Sequence, residues 1–274
     1  MRLEKEDYLD PMCVLCGKPG EPEMRQTVPV DRVMDRLHQL EEKNDREGII
    51  RHLTYWLAEA ESLGDRRAQL TLNNELMGQY RMRGEGEKAR GHAEKALALI
   101  ESLEMEDTVT AGTTCLNAAT VREAFGDPVG AMALFERARE NYEKNLPASD
   151  ARLGGLYNNM ALALTSCGRW GEARELFMKA LEVMEKQKHG ELEQAITWLN
   201  LADCTEAELG PEDAAEWTEQ YIERAEELLD RPSLPRNGYY AFVCEKCAPV
   251  FGHYGYFAAE AELRKRVREI YERT

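Results

Sequence analysis

The sequence predicts an all-α solenoid of about six helix-turn-helix units, on the strength of three observations. A Gly-x4-Ala pair recurs at intervals of 42 residues, with its glycines at positions 84, 126, 168 and 210. Apolar residues beside each pair are spaced for one face of an α-helix. A composition of 43% hydrophobic and 31% charged residues fits a charge-rich helical protein. Units of this kind cannot bury an apolar face alone and must stack on their neighbours.

The unit at residues 157–181 shows how each hairpin is built. Its first helix carries an apolar face, and Gly168 then ends that helix, since glycine tolerates the left-handed conformation of a helix cap. The apolar face consists of Tyr157, Met160, Ala161 and Leu164, and that of the second helix consists of Ala173, Phe177, Ala180 and Leu181. Small residues let the two helices approach closely, and the aromatic ring fills the adjacent gap. Equivalent anchor alanines are Ala89, Ala131, Ala173 and Ala215.

The two ends of the repeat array are less regular, as terminal capping units often are. Residues 31–62 are predicted to form a first hairpin, with apolar residues Val33, Leu37, Leu40, Ile49, Ile50, Leu53 and Leu57. Residues 239–272 form the last unit, which we expect to be irregular because Pro249 removes a backbone donor within its apolar stripe. The predicted organisation is an N-terminal arm, 1–27, followed by a superhelical domain, 28–274.

The repeated segments resemble a known family. "LYNNMALAL" and "TWLNLADC" open two units, and "PASDARLGGLYNN" and "HGELEQAITWLN" lead into them. These segments resemble the tetratricopeptide repeat (TPR), and the interval of 42 residues is similar to that of the kinesin light chain repeats. The resemblance is best over residues 70–230. It implies a right-handed TPR-like α-solenoid whose first helices line a concave groove.

Polar residues on the first helices are candidate contacts for a partner. The resemblance implies a ladder of asparagines offering donors and acceptors to an extended peptide, formed by Asn74, Asn117, Asn158, Asn159 and Asn200. Alternatively, these amides satisfy polar groups between neighbouring repeats. Other candidates on or near this face are Arg81, Thr120, Glu123, Thr165 and Glu206. Their mixed charge favours a polar peptide over a carboxylate clamp, which would need several lysines and arginines.

A zinc site is the sharpest candidate for chemistry. Cys13 and Cys16, followed by glycine, have the shape of a zinc knuckle, and Cys244 and Cys247 repeat the spacing. The two pairs lie at opposite ends of the predicted solenoid, however, and the second lies on a buried stripe, where cysteine behaves as a small hydrophobe. Plain thiols and redox-active thiols are the alternatives.

Residues 237–257 are unusually aromatic. They contain Tyr239, Tyr240, Phe242, Phe251, Tyr254, Tyr256 and Phe257. One helical stripe cannot bury all of these rings, so this segment is either a packed C-terminal cap or a surface for a partner or for self-association.

Charge and cysteine usage limit the partners and the location. The net charge of −16 argues against nucleic acid and anionic membranes, which attract lysine and arginine. It reflects either a solvated acidic outer face or an acidic groove for a basic ligand. No apolar run approaches the ~20 residues of a membrane span, and the charged N-terminus lacks a secretory signal. Seven scattered cysteines fit reduced thiols and a cytoplasmic location.

The sequence carries no phosphate-binding glycine loop and no His-Glu-x-x-His or Gly-x-Ser-x-Gly motif, so we expect no enzyme. The predicted function is a non-catalytic scaffold or adapter that holds a protein or peptide in its concave groove, without a cofactor. One alternative is a signalling sensor whose superhelix responds to a peptide or small ligand. Another is a self-assembling structural protein with a cysteine-bound zinc.

Overall fold

The structure is a computed structural model that describes residues 27–272. Within these residues, twelve α-helices pair into six antiparallel hairpins, and the predicted all-α solenoid of six units is confirmed. The helices are α1 (Val30–Glu42), α2 (Arg46–Ser62), α3 (Arg66–Met82), α4 (Gly86–Ser102), α5 (Val109–Ala124), α6 (Pro128–Asn145), α7 (Ala151–Ser166), α8 (Trp170–Glu185), α9 (Glu191–Leu209), α10 (Pro211–Leu229), α11 (Gly238–His253) and α12 (Phe257–Glu272). None of the helices in this part of the chain is long and apolar enough to cross a membrane.

The turns between paired helices follow the periodic glycines. Gly168 has a φ of 73°, in the left-handed region, where a side chain would be strained. Acidic residues at several of the following helix starts accept hydrogen bonds from free backbone N–H groups. Asp65 accepts from Ala68 at 3.0 Å and Asp127 from Gly130 at 2.8 Å. Among the six hairpin turns of the described residues, five contain a left-handed glycine, and the first contains Asn44 at a φ of 51° instead. The helices α4, α8 and α10 begin without a side-chain cap.

The hairpin core has the predicted composition in most units. Ala89, Ala131 and Ala173 are completely buried, and so are the Phe135 and Phe177 side chains four residues after two of them. The predicted first hairpin also forms, with Leu37 and Leu53 in its core, among others. Small anchors and large rings thus alternate across the helix contact.

The fifth unit departs from the expected anchor. Ala215 is exposed, and Ala214 is buried in its place. The cause is a shorter turn, because Gly210 alone separates α9 from α10, whereas three residues separate the helices of the preceding hairpins. The helix α10 starts one residue earlier after its glycine, with Pro211 at its first position, which proline favours.

The step from α7 to α9 is also shorter than the period suggests. The buried pair Met160 and Ala161 of α7 corresponds to Leu201 and Ala202 of α9, an offset of 41 residues. Asn200 consequently occupies the position of Asn159, whereas a uniform step of 42 residues would place it at the position of Asn158.

The expectation of an irregular last unit was wrong. The helix α11 runs without interruption from Gly238 to His253 and contains Pro249. Pro249 lies in the last turns of the helix, and its ring is on the exposed side. The buried stripe predicted there is present, with Tyr240 and Phe251 fully buried. The sixth unit is therefore a hairpin like the others.

The first helices form the inner layer of the solenoid. The helices α3, α5, α7, α9 and α11 pack against one another in sequence, in addition to packing against their own hairpin partners. The even-numbered helices form the outer layer. Because the inner helices approach more closely, the stack curves, and its concave surface, the groove, is lined by α3, α5, α7, α9 and α11.

The superhelix closes on itself. The helix α11 packs against α1, so the first and last hairpins touch. A Cβ placed on Gly238 would lie 3.7 Å from the Cα of Glu42. Beside this contact, Arg46 of the first hairpin forms an ion pair with Glu245 of the last at 3.5 Å. The groove is therefore encircled by the six hairpins.

Candidate functional site

Four of the predicted groove asparagines bind one another between neighbouring units. Asn117 donates to Asn74 at 3.3 Å, and Asn200 donates to Asn158 at 3.0 Å. Asn74 in turn donates to the Thr114 hydroxyl at 3.0 Å. The structure thus shows the alternative role for these four residues, in which their amides satisfy groups between repeats.

Asn159 is the exception in this row. It occupies the same position as Asn117 and Asn200, yet its amide makes no hydrogen bond with any residue between 27 and 272. The reason is the preceding unit, which carries Leu116 where the units with paired amides carry Asn74 or Asn158. The side chain is half-buried and retains both its donors and its acceptor.

The two threonines of the predicted groove bind their own helices. The hydroxyl of Thr120 donates to the carbonyl of Leu116 at 2.6 Å, and that of Thr165 donates to Ala161 at 2.9 Å. Their donors are used, so only the oxygen lone pairs remain for a ligand. Their part in any recognition is that of acceptors.

Arg81 and Glu123 come together at neighbouring positions on α3 and α5. Burial raises the pKa of the Glu123 carboxyl, and the charge of Arg81 opposes that rise. Burial lowers the pKa of Arg81, and Glu123 opposes this shift in turn. The two groups attract each other but form no ion pair within 4.0 Å in the described chain.

Glu206 lies where the sixth hairpin meets α9. Its carboxylate bonds to the Nε2 atom of His253 at 3.0 Å. One turn earlier, Asp203 accepts a hydrogen bond from the Tyr254 hydroxyl at 3.0 Å, and burial raises the pKa of this carboxyl. Asp203 was missed in the sequence, although its distance of three residues from Glu206 could have placed it on the same helical face.

Two further charged residues of the groove were missed. Glu75 occupies on α3 the position that Asn117 occupies on α5, and burial and the nearby Glu41 raise its pKa. Lys246 occupies the matching position on α11, since two buried residues follow it as they follow Asn200. Because asparagine was the expected residue type at this position, the sequence pattern did not indicate Glu75 and Lys246.

Only one of the two cysteine pairs of the predicted zinc site lies within the described residues. Cys13 and Cys16 lie outside the described residues. Cys244 and Cys247 are 0% and 2% exposed and pack among apolar side chains such as Phe251. Burial raises the pKa of each thiol to about 12, which opposes the thiolate that zinc requires. Residues 27–272 contain no group of three or more side chains arranged to hold a metal ion.

The aromatic C-terminal segment is mostly part of the core. Tyr240 and Phe251 are fully buried, whereas Tyr239 and Phe257 are 49% and 68% exposed. The Tyr239 hydroxyl donates to Glu193 of α9 at 2.7 Å. Most of these rings therefore pack the last hairpin against the fifth unit, and Phe257 is left at the surface.

Comparison with known proteins identifies the repeats. The model of the tetratricopeptide repeat family matches residues 152–227. Residues 152–227 of this chain contain tetratricopeptide repeats. The match covers the units around α7 to α10, and the TPR protein predicted from the sequence is confirmed. No curated protein matches the chain.

Solved structures share the fold over most of this chain. BtubC (BKLC) from P. vanneervenii is 18% identical with a TM-score of 0.61, and the alignment covers 76% of this chain and 84% of that one. A putative kinesin light chain from P. anserina is 19% identical with a TM-score of 0.51, over 74% and 94%. A Rap protein in complex with Competence and Sporulation Factor is 14% identical with a TM-score of 0.55, over 90% and 77%.

Proposed function

We propose that this TPR protein is a non-catalytic adapter whose groove holds an extended segment of a partner protein. The observation that carries the proposal is Asn159, an unpaired amide in a row whose other asparagines are paired. An amide offers a donor and an acceptor at once, which is what the backbone of an extended segment requires. A lost hydrogen bond at a partly buried site costs about 1 kcal/mol.

The groove suits such a ligand because its scaffold is already ordered. The bonds between Asn74 and Asn117 and between Asn158 and Asn200 fix neighbouring units relative to one another. The ordering cost of binding then falls mainly on the partner segment. The structural neighbour in complex with Competence and Sporulation Factor supports binding as a use of this fold.

The test is affinity capture with a single substitution, Asn159→Ala, beside wild type. Because the Asn159 amide has no partner in the described residues, its removal leaves the fold intact, as circular dichroism and thermal denaturation check. We expect loss of a partner that wild type retains. The matched control is Gln220→Ala, which truncates an exposed amide on the outer helix α10. If all three proteins capture the same set, the groove is not the binding surface.

A ligand-responsive sensor is the second candidate, favoured by the contact between α1 and α11. Since this contact holds the ring closed, a ligand in the groove can change how firmly the two ends meet. We expect the radius of gyration in small-angle scattering to change when the captured partner segment is added. An unchanged radius at saturation leaves the adapter as the better description.

A further inference from the structure

A row of three aromatic rings runs from the core to the outer surface of the fifth unit. The centre of the Trp198 ring on α9 lies 5.4 Å from that of the Tyr221 ring on α10, with 27° between their planes. The Tyr221 ring is in turn 6.4 Å from the ring of Trp217, one turn earlier on α10. Trp198 and Tyr221 are half-buried and pack against both apolar clusters of the core. The inner members of the row are therefore fixed in place.

Trp217, at the outer end of this row, is 51% exposed. Because packed rings support it from within, little further ordering is needed when a ligand covers the indole. Tryptophan is also among the residue types that contribute most to binding at protein interfaces. A single exposed apolar residue is ordinary on a protein surface, so the charges around Trp217 decide what ligand it suits.

The helix that carries Trp217 is strongly acidic. Its sequence, PEDAAEWTEQYIERAEELL, contains seven acidic residues and one basic residue. The basic residue, Arg224, is already engaged, since it donates to Glu227 at 2.8 Å. The other six carboxylates have no ion pair or side-chain hydrogen bond with any residue between 27 and 272; they are Glu212, Asp213, Glu216, Glu219, Glu223 and Glu226. On α12, by contrast, Arg264 pairs with Glu260 at 2.7 Å. The unneutralised charge of α10 favours a cationic ligand.

Asp213 brings this negative charge to the exposed ring. It precedes Trp217 by four residues, so the carboxylate and the indole are neighbours on one face of the helix. Both side chains are exposed. Tryptophan gives the strongest cation–π contact of the aromatic side chains. A guanidinium can stack on such a ring and bind a carboxylate at the same time, and an ammonium can make the same two contacts as a compact charge.

We propose that Asp213 and Trp217 form a docking site for a basic segment of a partner protein, in which an arginine or lysine side chain lies on the indole and pairs with the carboxylate. The site is on the outer layer, so the inference goes beyond the proposed function of the groove and does not depend on it. The first 26 residues of this chain carry six acidic and four basic side chains, which does not suit an acidic surface. A second copy, with a net charge of −16, is repelled in the same way. The occupant is therefore a different protein.

The experiment measures binding of two fluorescein-labelled hexapeptides to the full chain by fluorescence anisotropy at fixed ionic strength. In one peptide glycine alternates with arginine, and in the other with lysine. We expect Trp217→Ala to weaken binding by about fivefold, because the cation–π contact is lost. Asp213→Asn should weaken it by about threefold, since its pairing is solvent-exposed. The matched control is Tyr55→Ala, which truncates a 58% exposed ring on the outer helix α2 and should bind as wild type does. Circular dichroism checks that each variant is folded.

Trp217→Ala leaves every charge in place, so its effect separates the ring from the general attraction of an acidic chain for cations. Tighter binding of the arginine peptide assigns a guanidinium, and tighter binding of the lysine peptide assigns an ammonium. The proposal is overturned if neither peptide binds wild type, if Trp217→Ala binds as wild type does, or if Tyr55→Ala weakens binding equally. Asn159→Ala should leave peptide binding unchanged, so a failure of this site is distinguishable from a failure of the groove.

Discussion

A disulfide between positions 42 and 238 tests the closed superhelix directly. A Cβ on residue 238 lies 3.7 Å from the Cα of Glu42, so the two Cα atoms are at most about 5.2 Å apart once a C–C bond of ~1.5 Å is added. Disulfides span Cα separations of about 4.4–6.8 Å. The Cα separation lies in this range, so we expect the double variant Glu42→Cys and Gly238→Cys to oxidise within one molecule.

The magnitude follows from the loop that the bond closes. The bond would enclose roughly 200 residues, and the lost entropy of the unfolded chain corresponds to about 5 kcal/mol before strain is subtracted. Engineered bonds deliver less, so we expect a rise of roughly 5–15 °C in the denaturation midpoint of the oxidised protein over the reduced one.

The assay is oxidation in dilute solution, followed by non-reducing electrophoresis and thermal denaturation with and without reductant. Cys13, Cys16 and Cys167 are replaced by serine, since the other native thiols are buried. A control pair, Glu42→Cys with Lys179→Cys, should not oxidise within a molecule. If the 42–238 bond fails to form in the monomer, or leaves stability unchanged, the first and last hairpins do not meet.

Three further substitutions test the turns, the core and the groove. Gly168→Ala should destabilise the protein by about 1–2 kcal/mol because its φ is positive, whereas Gly171→Ala, with open space around it, should not; urea denaturation compares them. Ala173→Trp should destabilise the protein by about 1–3 kcal/mol because it overpacks the contact between the two helices, and an unchanged urea midpoint would refute this packing. Glu75→Gln should stabilise the protein by about 0.5–1 kcal/mol at pH 7, because burial and Glu41 disfavour the charged carboxylate. Since the folded-state pKa of Glu75 is raised, this gain should shrink as pH falls through that pKa to the ordinary glutamate value; a gain independent of pH would contradict it.

The hairpins were predictable because their causes are local. Gly168 and its equivalents determine where helices end, and Ala173 with Phe177 determines how two helices pack. The shorter step in the fifth unit was not found, because the glycine interval stayed at 42 while Gly210 became the entire turn. A local change of one residue in turn length shifts a helix face without altering the visible period.

The closure of the ring could not be predicted from the sequence. It results from small rotations between successive units that add up over six hairpins, and no single residue encodes them. Asn159 was predicted as a groove residue, but its lack of a partner depends on Leu116 in the preceding unit.

The paired asparagines divide the array into blocks with different mechanical behaviour. A hydrogen bond between the side-chain amides of Asn74 and Asn117 joins the second and third units. Another, between Asn158 and Asn200, joins the fourth and fifth units. Between them, at Leu116 and Asn159, no such bond crosses. We therefore expect the contact between the third and fourth units to open first under tension or in hydrogen exchange. The contacts between the second and third units and between the fourth and fifth units should open later.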